Sequence, residues 1–138
     1  MKKFENEKMI DPEFCEMLSS ASACLESDHH TGSNYHQCLV LRTLQGEQLT
    51  ASFAADSVDE LIEQECAFLS EREQVGKTAV KKIICVWWKD NAVDLPPHRF
   101  TKELCALNEE NRNTEILLYA VSGAYVVKKL SDVIGSHI

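Results

Sequence analysis

The run Ile83-Ile84-Cys85-Val86-Trp87-Trp88 limits what this chain can fold into more than any other stretch. It lacks the polar alternation of a half-wet strand, so it reads as a central strand covered on both faces. Such a strand needs packing layers above and below it and other strands beside it.

The flanking segments supply those layers. Over about residues 12–26, Phe14, Met17, Leu18, Ala21, Cys24 and Leu25 recur at spacings of three and four. That is one apolar stripe on a helix, with Asp11 as its cap and Pro12 at the first helical position. Tyr35 to Thr43 reads as a buried strand, Leu44-Gln45-Gly46-Glu47 as a turn, and the alternating residues 48–53 as a strand with one wet face. Ser57-Val58-Asp59-Glu60 fits a capping box opening a second helix. Its inner stripe is expected to be Val58, Leu61, Ile62, Cys66 and Leu69, with Asp59, Glu60, Glu63 and Glu65 facing water and Gly76 ending it.

After the central strand, residues 89–97 read as a loop and about 98–109 as a third helix, with Phe100, Leu104 and Leu107 inside. Residues 116–121 and 124–130 read as two strands joined at Ser122-Gly123. The order is α-β-β-α-β-α-β-β. It predicts an α+β (mixed α/β) domain: a mixed sheet of about five strands with helices packed on it, a parallel middle and an antiparallel hairpin at each end. Both crossover helices would cover one face, and the first helix or a second subunit, as in a homodimer, the other. The 138 residues suit a single domain, with residues 1–10 as a mobile N-terminal segment.

No apolar stretch is long enough to span a bilayer, and the N-terminus develops no signal-peptide core. The six cysteines form no C-x-x-C pair. They read as free, mostly buried thiols of a cytoplasmic protein. The net charge of −8 is concentrated in residues 1–70 and argues against nucleic-acid binding. It permits a basic protein partner.

Cys24, Asp28, His29, His30, His36 and Cys38 concentrate potential metal ligands, yet without a recognised ligand spacing, so no metal or other cofactor is expected. His36 and Cys38 share a strand face, which makes Cys38 the one thiol with a local imidazole; the plainer reading is a structural cysteine. Trp87 and Trp88 must point to opposite faces. One belongs in the core, and the first helix is expected to cover the other.

Two functions follow from these residues. The first is a small acidic, non-enzymatic binding protein, resembling bacterial immunity proteins in size and charge alone, that meets its partner through Asp59, Glu60, Glu63 and Glu65. The second is a small enzyme or ligand-binding domain. It would use a rim at the C-terminal ends of the parallel strands, carrying Asp56, Asp90, Asp94, His98 and Arg99. The absence of G-x-S-x-G, H-E-x-x-H and phosphate-loop motifs favours the first.

Overall fold

The structure is a computed structural model that describes residues 11–27, 33–88, 92–119 and 123–135. In chain order the elements are α1 (Pro12–Ser27), β1 (Tyr35–Thr43), β2 (Gln48–Ala55), α2 (Val58–Gln74), β3 (Val80–Trp87) and β4 (Ala92–Val93). They continue with α3 (His98–Leu107), a 3-10 turn (Glu109–Asn113), β5 (Glu115–Tyr119), β6 (Tyr125–Lys129) and α4 (Leu130–Gly135). The strands form one mixed sheet in the order β2-β1-β3-β5-β6, with β4 paired to β3 outside that path. β1 is antiparallel to both β2 and β3, while β3 and β5 run parallel. The expected hairpins are present at both ends, but the parallel part is the β3–β5 pair alone, because β1 lies between β2 and β3 and is antiparallel to both. The sheet has six strands rather than five, because the expected loop after β3 turns back to pair Val93 with Val86 and Ala92 with Trp87.

Alternation along β1 divides the interior into two cores. Leu39 and Leu41, with Ile83 and Cys85 of β3, face Leu61 and Leu69 of α2, Phe100 and Leu104 of α3 and Leu130 of α4. Cys38, Val40, Ile84 and Val86 face Phe14, Met17, Ala21 and Leu25 of α1. Both crossover helices thus lie on one face and α1 on the other.

The caps follow the sequence. Asp11 Oδ1 accepts the Glu13 N–H at 2.8 Å, and Ser57 Oγ accepts the Glu60 N–H at 3.2 Å. α2 ends in a Schellman arrangement, with Gly76 N–H bonded to Glu73 O, Lys77 N–H to Arg72 O, and Gly76 at φ 74°. The first turn of α1 is tied to the sheet by charge. The Lys82 ammonium, almost wholly buried, lies 2.8 Å from Glu13 Oε1 and 3.1 Å from Asp11 Oδ2. Hydrogen bonds from Lys82 and Lys81 hold the Glu13 carboxyl down at about 2.

The 3-10 turn was not foreseen. Asn108 caps the 3-10 turn, and the wholly buried Asn111 pins that turn to the start of β3. The last described pair of the closing hairpin is Tyr119 with Tyr125, and Ser122 of the expected Ser122-Gly123 turn lies outside the described residues. No helix among the described residues is long and apolar enough to cross a membrane. None of the six cysteines forms a disulfide; Cys38, Cys85 and Cys105 are buried, whereas Cys15 is exposed.

Candidate functional site

β2, β3 and β5 point the same way, so one end of the sheet carries their C-termini, the start of β1 and the starts of α2 and α3. Ligands in sheets of this kind gather at such an end. Here it holds a cleft of about 810 Å³ bordered by Asn34, Tyr35, His36, Trp87, Trp88 and Asp94. That volume suits a small molecule. The alternation of β1 and β3 sends neighbouring residues to opposite faces, so the cleft wraps the end of the sheet and draws walls from both sides.

Several bonds fix those walls. His36 Nε2 lies 3.0 Å from Ser52 Oγ, and its ring stands 5.9 Å from that of Trp88. The Trp88 N–H donates to His36 O at 2.9 Å. The Trp87 indole donates to Leu95 O at 3.2 Å. Asn34 Nδ2 donates to Asp56 O at 3.1 Å, and Asp94 N–H to Cys85 O at 3.1 Å. Trp88 remains 48% exposed; α1 does not cover it as expected, and its indole is left as cleft wall.

Beneath this end, on the α2 face, lies a polar cluster that the sequence reading missed. Gln37 is paired with Trp87 across the sheet, and its Nε2 donates to Glu65 Oε2. Cys85 Sγ donates to Gln37 Oε1 at 3.1 Å. Glu65 was expected to face water; instead it is wholly buried, and Oε1 has no hydrogen-bond partner among the described residues. The reason is helical phase. Leu61, Glu65 and Leu69 succeed one another at intervals of four, and these are the residues α2 buries. Burial pushes the Glu65 carboxyl up to about 8, so it is mostly protonated at neutral pH. The Cys85 thiol is pushed well up, first by burial and then by Glu65.

Of the expected rim residues, Asp94 borders the cleft, and Asp56 reaches its edge through its carbonyl oxygen. His98 and Arg99 open α3 and are exposed, with Arg99 Nε 3.5 Å from Glu103. Asp90 lies outside the described residues, as do Asp28, His29 and His30. Among the described residues no group of three or more His, Cys, Asp and Glu could hold a metal ion. Cys38 is fully buried in the α1 core, where the partial exposure a nucleophile needs is missing. Asp59, Glu60 and Glu63 do face water.

Solved structures share this architecture. The cytidine deaminase of Mycobacterium leprae aligns at a TM-score of 0.59 over 90% of this chain and 98% of its own, with 14% identity. That of Mycobacterium tuberculosis gives 0.59 over 89% and 94%, also at 14% identity. The Burkholderia pseudomallei cytidine deaminase gives 0.57 over 90% and 96%, at 13% identity. The fold is that of the cytidine deaminases. No protein-family model matches the sequence, and no curated protein matches it.

That likeness overturns the preferred sequence reading. A non-enzymatic binding protein was favoured because catalytic motifs are missing, but the chain has the architecture of an enzyme fold. A missing short motif says less about this chain than its topology does. The rim reading, which rested on the sheet's direction, fits the fold better.

Proposed function

We propose that this protein is a cytoplasmic nucleobase- or nucleoside-binding domain of enzyme ancestry, working at the cleft beyond the C-terminal ends of β2 and β3. The observation that carries this reading is the pairing of aromatic walls with polar edges at that end of the sheet. Trp87, Trp88 and Tyr35 offer faces on which a planar ring can stack, while Asn34, His36 and Asp94 offer donors and acceptors for its edge. The described border carries the Asp94 carboxylate, which suits a ring with N–H groups. The solved structures of the same fold act on cytidine, a ligand of this chemical class. His36 and Asp94 are the groups available for proton exchange with a bound ring.

The chain's own fluorescence tests the proposal. Its two tryptophans both border the cleft, so the whole indole emission reports on it. Titration with cytidine, adenosine and the free bases should give saturable quenching or a spectral shift. Competition between base and nucleoside for the same response would identify the shared ring as the recognised part. Emission unchanged by all of them up to millimolar concentration would overturn the proposal.

A further inference from the structure

We infer that the rim of this chain works without a resident zinc ion. The fold implies one: zinc deaminases hold the metal with a His/Cys/Cys or Cys₃ set carried in an H-x-E…P-C-x-x-C signature. The residues present do not fit it. The prolines are Pro12, Pro96 and Pro97, so only the last two can supply the second half of that signature. They lead into His98-Arg99-Phe100-Thr101, with no cysteine in either ligand position. Thr101 is buried with its hydroxyl donating to Pro97 O at 3.4 Å, and Phe100 is packed into the core. Those positions serve packing, and His98 alone offers a zinc-type donor.

The first half is also missing where it would be needed. The start of α2 reads Ser57-Val58-Asp59-Glu60, and the Ser57 hydroxyl is engaged as the helix cap. A Cys-x-Glu sequence does occur at Cys24-Leu25-Glu26, but α1 carries it on the opposite face of the sheet from α2 and α3. The cysteines on the α2–α3 face are otherwise engaged: Cys85 donates to Gln37, Cys105 Sγ lies 3.8 Å from Asn111 O, and the half-buried Cys66 of α2 meets the Glu103 carboxylate. Burial raises all three thiols, and Glu103 raises Cys66 further, which opposes the thiolate form that zinc requires. What the rim offers a ligand is therefore stacking, hydrogen bonding and proton exchange.

The test reads metal directly. The full chain, produced in zinc-supplemented medium and purified without chelator, should contain far less than one zinc per chain by elemental analysis. Its thermal midpoint should not move on addition of EDTA or of zinc, since an ion bound to the native state alone would stabilise it. Zinc near one per chain that survives dialysis would overturn the inference, and so would a midpoint lowered by EDTA. This inference does not rest on the ligand proposed above. Failure of the fluorescence titration would leave it standing, and stoichiometric zinc would leave the stacking cleft unaffected.

Discussion

Glu65 of α2 accepts a hydrogen bond from Gln37 of β1 through one carboxyl oxygen, while the other is buried without a hydrogen-bond partner among the described residues. An unpaired buried oxygen is costly, and more so when charged. The carboxyl answers by holding its proton up to about pH 8. The thiols of Cys85 on β3 and Cys66 on α2 feel its charge, and burial is what raises the carboxyl.

A stability profile follows, with its sign fixed by the raised folded-state value. Below about pH 4.5 both folded and unfolded chains hold the proton, and the contribution is fully present. As pH rises towards 8, the unfolded chain releases the proton while the folded chain keeps it, so stability falls until the folded carboxyl ionises. Glu65→Gln cannot ionise and should flatten this part of the profile. Denaturant midpoints at pH 5 and pH 8 should show wild type losing about 1–3 kcal/mol more than the variant. Parallel profiles would show that Glu65 is solvated.

Asn111 should be among the most sensitive polar positions. Its Oδ1 accepts the Val80 N–H at 2.8 Å, and its Nδ2 donates to Thr78 O at 2.8 Å and Leu104 O at 2.9 Å. One side chain thus joins the 3-10 turn, the end of α3 and the entry to β3. Asn111→Ala would strand all three backbone groups away from water. The expected cost is about 3 kcal/mol in urea unfolding; a loss of only a few tenths would mean that water replaces the amide.

Both of these residues mark where sequence reading stopped short. Layers, caps and terminal hairpins were legible because hydrophobic period, Ser57, Asp11 and the turn glycines each act locally. Glu65 was legible too, though it was misread. At about 100° per residue it falls inside the arc formed by Val58, Leu61, Ile62, Cys66 and Leu69. The acidic side chain was given more weight than its phase. β4 is only two residues long and leaves no periodic trace. The partners of Asn111 lie 7–33 residues away in the chain, so no local pattern reveals them. At the rim, sheet direction pointed to the end where Asp94 borders the cleft, whereas His98 and Arg99 do not line it, and the aromatic wall emerged only when Trp88 proved uncovered.

The two tryptophans should separate stability from recognition. Trp87 ends β3, packs against the α2-side core and donates its indole N–H to Leu95 O. Trp87→Ala removes a large packed ring and leaves that carbonyl without its donor, and should cost about 3 kcal/mol or more. Trp88 follows the strand, is 48% exposed, and holds its place by a backbone N–H bond to His36 O that survives truncation. Trp88→Ala should therefore change stability by less than about 0.5 kcal/mol. It should still weaken nucleoside binding by roughly tenfold, since stacking on one aromatic ring contributes about 1–3 kcal/mol. Calorimetric titration avoids reliance on the lost fluorophore, and Trp88→Phe, which keeps a stacking face, should recover most of the affinity. If alanine and wild type bound equally well, the Trp88 ring would not be a wall of the site. If alanine and phenylalanine were equally weak, the indole N–H rather than the ring face would be what the ligand meets.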